Sequence, residues 1–174
     1  QNFADFLSYV KANDAKMSYG SSGQGSLTQL AMEMLKQQIS SEMVHVPYKG
    51  IAPAITDLLG GQTQTMMPGL AAALPHLKGG KMRAIAVTGD KRHPLLPEVP
   101  TFAELGYKAV DSVQWYGIVG PAKMPADVTK RLSDTLRTAI TAPDFREKLQ
   151  SEAIEPLPMS PEQFGDYIKN EVTR

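Results

Sequence analysis

Met17-Ser18-Tyr19-Gly20-Ser21-Ser22-Gly23-Gln24-Gly25-Ser26 runs directly into Leu27, Leu30, Ala31, Met34 and Leu35 at helical spacing. The stretch reads as a strand, a Gly/Ser-rich turn and a helix N-terminus. Such a junction presents backbone N–H groups and the positive end of a helix to an anion. Three familiar motifs nearly fit the turn, and each fails at the residue that would carry its chemistry. A Walker loop needs Lys after the second glycine of the Gly20 to Gly25 span, where Ser26 and Leu27 stand. The dinucleotide fingerprint would begin at Gly23 and Gly25, but Thr28 occupies the place of its third glycine. A nucleophile elbow centred on Ser22 needs glycine where Gln24 stands. What remains is hydrogen bonding by Ser21, Ser22, Ser26 and backbone amides, suited to a carboxylate or similar oxyanion. The competing structural reading is a capped helix behind an ordinary tight turn.

Working outward, Phe3, Phe6, Leu7 and Val10 share one helical face, which predicts an opening helix ending near Asn13. A strand, loop and helix rhythm follows. Strand Met17 to Gly20 leads into a helix to about Ser40. Met43 to Val46 leads through Pro47-Tyr48-Lys49-Gly50 into a helix stopped by Gly60-Gly61. Gln64 to Met67 leads through Pro68-Gly69 into a helix from Leu70 to Leu77, closed by Gly79-Gly80. A fourth strand is expected at Met82 to Val87. This alternation predicts an α/β fold with a doubly wound, mostly parallel sheet. Ligands of such sheets sit beyond the carboxyl ends of the strands, where Ser21 to Ser26, Tyr48 to Gly50 and Pro68-Gly69 would converge.

Beyond Asp90 the segment Lys91 to Pro100 is proline-rich and excludes a long helix. Thr101-Phe102-Ala103-Glu104 reads as a capping box opening a short helix that Gly106 ends. Trp115 to Gly120 reads as a strand leaving the domain, and Pro121 to Pro125 as a turn or linker. The last third changes character. Val128, Leu132, Leu136 and Ile140 predict one helix, Phe145 and Leu149 a second, and Ser160-Pro161-Glu162-Gln163 the start of a third. Their apolar faces need a cover.

The 174 residues carry 18 basic and 18 acidic side chains, for no net formal charge, which argues against nucleic acid as a partner. No window is long and apolar enough for a membrane-spanning helix, and the N-terminal residues lack the regions of a signal peptide. The chain has no cysteine, which excludes disulfides and thiolate metal sites and leaves the compartment open. His45, His76 and His93 have no acidic neighbours at metal-ligand spacing, so neither metal nor cofactor is expected. His45, between Val44 and Val46, reads as a hydrogen-bonded or edge residue. Lys49, in a turn before a helix, is either a charge offered to an anion or a solvated turn lysine.

Several stretches together resemble the Bug family, the extracytoplasmic solute receptors of tripartite tricarboxylate transporters. They are Tyr19 to Ser26, Val44-His45-Val46-Pro47-Tyr48-Lys49-Gly50, Asp57-Leu58-Leu59-Gly60-Gly61-Gln62, Leu74-Pro75-His76-Leu77-Lys78, Arg83 to Thr88, Leu96 to Thr101, and Trp115-Tyr116-Gly117. The resemblance implies a periplasmic-binding-protein-like clamshell of type II. Residues 1–120 would then be its second lobe, and 121–174 a helical segment returning to a first lobe not contained in this chain. It implies a non-enzymatic receptor, in the periplasm, that hands a small organic acid to the membrane subunits of a transporter. Carried over by position, Ser21, Ser22, Gly23, Gln24, Gly25 and Ser26 match the carboxylate loop, and Tyr48, Lys49 and Gly50 an adjoining cleft turn. Pro68 and Gly69 stand where many members carry Asp or Gly followed by Asn, which removes a polar side-chain contact and favours a plain acid over an amino acid. A homodimer could cover the orphaned helices. Two other readings stand beside this one: a ligand-sensing domain for signalling, and a small α/β serine hydrolase using Ser22 or Ser26.

Overall fold

Three strand–turn–helix units build the sheet, and each is bounded by local chemistry visible in the chain. The structure, a computed structural model, describes residues 2–173. Helix α1 spans Phe3–Asn13 and opens on a reciprocal cap, in which the Asn2 side chain accepts from Asp5 N–H and the Asp5 carboxylate accepts from Asn2 N–H. A 3₁₀ turn, Asp14–Lys16, brings the chain to β1, Ser18–Ser21. Helix α2, Leu27–Ile39, is capped by the Ser26 hydroxyl and ends on Ser40 in the left-handed region, φ 53°. Then come β2, Val44–Pro47, α3, Ile51–Leu59, the short β3, Thr65–Met66, and α4, Leu70–Lys78.

The strands form one parallel sheet in the order β2-β1-β3, so β1 is central. Tyr19 pairs with His45 on one side and with Thr65 on the other. Because side chains alternate along a strand, Tyr19 and Ser21 point to one face and Gly20 to the other. The first face is covered by α1 and α2, where Val10, Met17, Tyr19, Met32 and Met43 form a buried cluster. Phe3, Leu35, Phe102 and Val110 form a second cluster beside it. On the opposite face, a Cβ at Gly20 would already touch the Tyr48 ring and Ala54 of α3 at 3.5 and 3.6 Å. Those are ordinary packing distances, so α3 and the turn before it lie against this face of the sheet.

The region after α4 differs from the sequence reading. Met82 to Val87 does not form a fourth strand; Val87 alone makes an isolated parallel bridge to Thr101. Ile85 and Ala86 instead spend their apolar surface on the second core cluster, and packing without a ladder suffices to hold them. The box at Thr101 and Glu104 forms as expected, with Glu104 N–H donating to Thr101 Oγ1 at 3.0 Å and Thr101 N–H to the Glu104 carboxylate at 2.7 Å. It opens a hydrogen-bonded turn and no helix, since Gly106 at φ 91° diverts the chain too soon. Trp115 to Gly120 is also not a strand. Tyr116, Ile118 and Val119 are largely exposed, and Ile118 and Val119 have no neighbouring strand to pair with among the described residues.

The chain divides into two compact units, residues 1–115 and 116–174. The second contains α5, Ala126–Thr141, α6, Pro143–Ser151, and α7, Pro161–Thr173. Ser160 and Gln163 make the expected reciprocal cap of α7. None of the three helices buries a residue, and Val128, Leu132, Leu136 and Phe145 are exposed.

Candidate carboxylate-binding edge

The loop from Ser21 to Ser26 is held by its own side chains. Ser26 Oγ donates to the Gly23 carbonyl at 2.7 Å, and Ser26 N–H reaches the same oxygen at 3.2 Å. Thr28 Oγ1 accepts from Ser22 N–H at 2.9 Å and lies 3.0 Å from both Ser22 Oγ and Ser26 Oγ. The Gln29 side chain accepts from Gly25 N–H at 2.7 Å. Gly23 and Gly25, at φ 139° and 71°, adopt conformations that side chains disfavour, so the tight path needs glycine at both. The Gln24 side chain is exposed. After these bonds are made, the amides of Leu27 and Thr28, the first two of α2, have no protein acceptor among the described residues. Two N–H donors at the positive end of a thirteen-residue helix favour a small anion.

The second turn is stitched to the first. Tyr48 N–H donates to the Ser21 carbonyl and Gly50 N–H to the Ser22 carbonyl, both at 3.1 Å. The Tyr48 carbonyl comes so near Gly23 that a Cβ there would sit 3.2 Å from it. Tyr48 Oη donates to Asp57 at 2.7 Å, and that bond raises the tyrosine's pKa above its usual range. Lys49 is exposed, and Gly50, at φ 114°, caps α3. The third turn, Pro68-Gly69, follows β3, which pairs with β1 through Gly20 and Met66, so it emerges at the same end of the sheet. A side chain at position 69 would run into the amide of Gln114. The near atom is the end of the flexible, exposed Gln114 side chain.

Ser21 differs from its neighbours in being fully buried. Its hydroxyl lies 2.6 Å from His45 Nε2, accepts from Gly23 N–H at 3.2 Å and contacts the Gly23 carbonyl at 3.1 Å. The imidazole stacks on Tyr19 with ring centroids 4.9 Å apart and planes 18° apart. Tyr19 Oη donates to Glu33, which Lys36 also contacts at 3.3 Å. Burial, then the bond to Glu33, pushes the Tyr19 pKa up. Burial opposes the charge on Glu33, but the hydrogen bonds from Tyr19 and Lys36 outweigh it and hold its pKa low. Burial lowers the pKa of His45, with Glu33 opposing and Lys36 adding to the shift.

A serine-hydrolase chemistry finds no machinery here. The Ser22 and Ser26 hydroxyls pair with Thr28, not with a base, and the serine that does meet a histidine is closed off from solvent. Sequence reasoning missed Thr28, Gln29 and Gln114. Thr28 was visible only as a failed glycine, and Gln29 carried a usable signal as the third helical residue after a serine cap. Gln114 had none, being brought in by tertiary structure.

The fold is that of periplasmic solute-binding proteins. It superposes on a structure described as a periplasmic transporter with a TM-score of 0.88 at 34% identity, covering 98% of this chain and 57% of that one. Periplasmic binding protein BugD matches with a TM-score of 0.90 at 33% identity, covering 99% and 58%. A protein of R. palustris solved with adipate matches with a TM-score of 0.93 at 31% identity, again over 99% and 58%. In sequence the chain is 35% identical to a UPF0065 protein in the tcbD-tcbE intergenic region of Pseudomonas sp., over 99% of this chain and 52% of the relative. It is 27% identical to BugT of Bordetella pertussis over 97% and 52%. Residues 1–174 match the tripartite tricarboxylate transporter family receptors, and the chain belongs to that family. It spans about half the length of the curated relatives it matches.

Proposed function

We propose that residues 1–120 form one lobe of a solute receptor, with a small organic acid seated against Ser21 to Ser26, Tyr48 to Gly50 and Pro68-Gly69. Residues 121–174 would return to the other lobe, whose contact would cover the exposed faces of α5 to α7; a second copy of the chain is the alternative cover. The observation that carries the reading is the division of labour in the first loop. Its hydroxyls are consumed in shaping it, while the Leu27 and Thr28 amides remain open at a helix N-terminus. The solved relatives support the ligand class: one from R. palustris was determined with adipate, and another, 25% identical, with malate. Lys49 and Gln114 would complete the edge with a charge and an amide. In the cell the receptor would work in the periplasm and deliver the acid to the membrane subunits of its transporter. Among the described residues no helix is long and apolar enough to cross a membrane.

Binding would proceed by closure of two lobes around the acid, with the open backbone amides replacing part of its water shell. Native mass spectrometry with adipate, malate and benzoate tests this, first on the 174-residue chain and then on the complete gene product that contains it. A dissociable one-to-one acid adduct is expected, at least on the complete product. Its absence from both refutes the carboxylate reading.

A further inference from the structure

His45 is the group in this edge to which neither the motifs nor the fold assigns a task. It lies on the edge strand β2, yet its ring is fixed from two directions. Register places it beside Tyr19, whose ring it stacks on, and its Nε2 meets Ser21 Oγ at 2.6 Å. Tyr19 is itself immobilised: it is fully buried, its hydroxyl is bonded to Glu33, and Lys36 Nζ lies 5.6 Å from its ring centroid. The imidazole therefore presents one nitrogen, in one direction, to one hydroxyl.

That hydroxyl has three partners: His45 Nε2, Gly23 N–H and the Gly23 carbonyl. A serine hydroxyl offers one proton and two acceptor positions. Gly23 N–H can only donate and the carbonyl can only accept. All three contacts are satisfied together only if His45 donates from Nε2 and Ser21 sends its own proton to Gly23. With Nε2 bare, the serine proton would be drawn to the ring and the Gly23 carbonyl would lose it. Gly23 is the hinge of the whole loop. It holds φ 139°, its carbonyl takes Ser26 Oγ and N–H, and its Cα faces the Tyr48 carbonyl. Whatever orients the Ser21 hydroxyl thus sets the turn that leads to the open amides of α2.

We propose that His45, donating from Nε2–H to the buried Ser21 hydroxyl, is the positioning residue that holds the Ser21 to Ser26 loop in its carboxylate-accepting shape. The inference rests on the reading that this loop binds a carboxylate. His45 does not touch the ligand; it acts through Ser21 on Gly23. A neutral Nε2–H donor does this without burying a charge, and burial, which disfavours the imidazolium, agrees with that form.

Glutamine can place an amide N–H where Nε2–H lies, whereas leucine fills a similar volume with no donor. Adipate and malate titrations of the complete gene product should give dissociation constants for His45→Gln within about threefold of the unsubstituted protein. His45→Leu should weaken binding about tenfold or more, the loss expected for one buried hydrogen bond of roughly 1.4 kcal/mol. Ser21→Ala should weaken it similarly, and the double variant no further. Nitrogen-15 NMR of the unsubstituted protein should show His45 protonated at Nε2 and bare at Nδ1, whether or not His45→Leu folds. Equal affinity in His45→Leu, equal loss in His45→Gln, or a proton on Nδ1 alone at neutral pH would overturn the proposal. If the unsubstituted protein takes up none of the acids, the carboxylate reading itself falls, while the NMR result still decides the His45–Ser21 link.

Discussion

Replacing Thr28 by valine tests the idea that the first loop is built from within. The two side chains are nearly equal in volume, so the change removes a hydroxyl and adds a methyl without opening a cavity. Thr28 Oγ1 contacts three groups, but they are not equally at risk. Ser26 Oγ keeps its 2.7 Å bond to the Gly23 carbonyl, and the half-buried Ser22 hydroxyl can turn to water. Ser22 N–H cannot rotate and loses its acceptor. A partly buried amide left unsatisfied costs about 1–3 kcal/mol, and the solvent at this loop places the cost near the lower half, about 1.5 kcal/mol. With a urea m-value of roughly 2 kcal/mol/M, the unfolding midpoint should fall by about 0.7 M. Thr28→Ser retains the hydroxyl and should lose less than half as much. Urea denaturation followed by circular dichroism measures both. If Thr28→Val leaves the midpoint unmoved, or Thr28→Ser falls as far, the Ser22–Thr28 bond does not hold the loop.

Gly50→Ala should destabilise by about 2 kcal/mol through backbone strain alone, because φ is 114° and no atom lies within 4 Å of the new methyl; Gly60→Ala, at φ −79°, should be close to neutral in the same thermal melts. Since the folded chain holds His45 below its ordinary pKa of 6.5, the unfolded chain binds the extra proton first as pH falls. The contribution is therefore complete above about pH 6.5 and is lost as pH drops from there towards the folded pKa, a slope that His45→Gln should remove from denaturation midpoints measured between pH 5 and 8. Gln114→Ala should raise the dissociation constant for adipate about fivefold, the worth of one hydrogen bond. An unchanged constant would remove Gln114 from the edge.

The first unit was legible because every level of the chain agrees there. Hydrophobic spacing marks α1 and α2, Ser26 caps α2, and Gly60-Gly61 and Gly79-Gly80 end α3 and α4 where a left-handed or tight residue was needed. The failures share a different cause. Met82 to Val87 and Trp115 to Gly120 have the composition of strands, but a strand is a relation between two segments and composition names only one of them. Val87 finds a single partner in Thr101, whereas Ile118 and Val119 find none among the described residues. Apolar β-branched runs are therefore ambiguous until their neighbours are known, in a way that a capped helix is not.

The site divides along the same line. Ser21 to Ser26 and Tyr48 to Gly50 could be read as strand-to-helix turns because glycines and serines between a strand and a helix have a meaning fixed by local geometry. His45, Thr28 and Gln114 are placed by register and packing: His45 opposite Tyr19, Thr28 in the first turn of α2, and Gln114 beside Gly69. Serine placement alone would have offered Ser21, Ser22 and Ser26 equally to a ligand. Burial separates them, since a hydroxyl already bonded to a histidine and to both polar groups of Gly23 has nothing left to give an anion. The chain thus uses its side-chain hydroxyls to build the loop, and the Leu27 and Thr28 amides, without a protein acceptor among the described residues, are the donors left for the proposed ligand. Amides at a helix start cannot rotate away when the site is empty, and that fixed orientation is what lets such an edge receive a carboxylate with little further ordering.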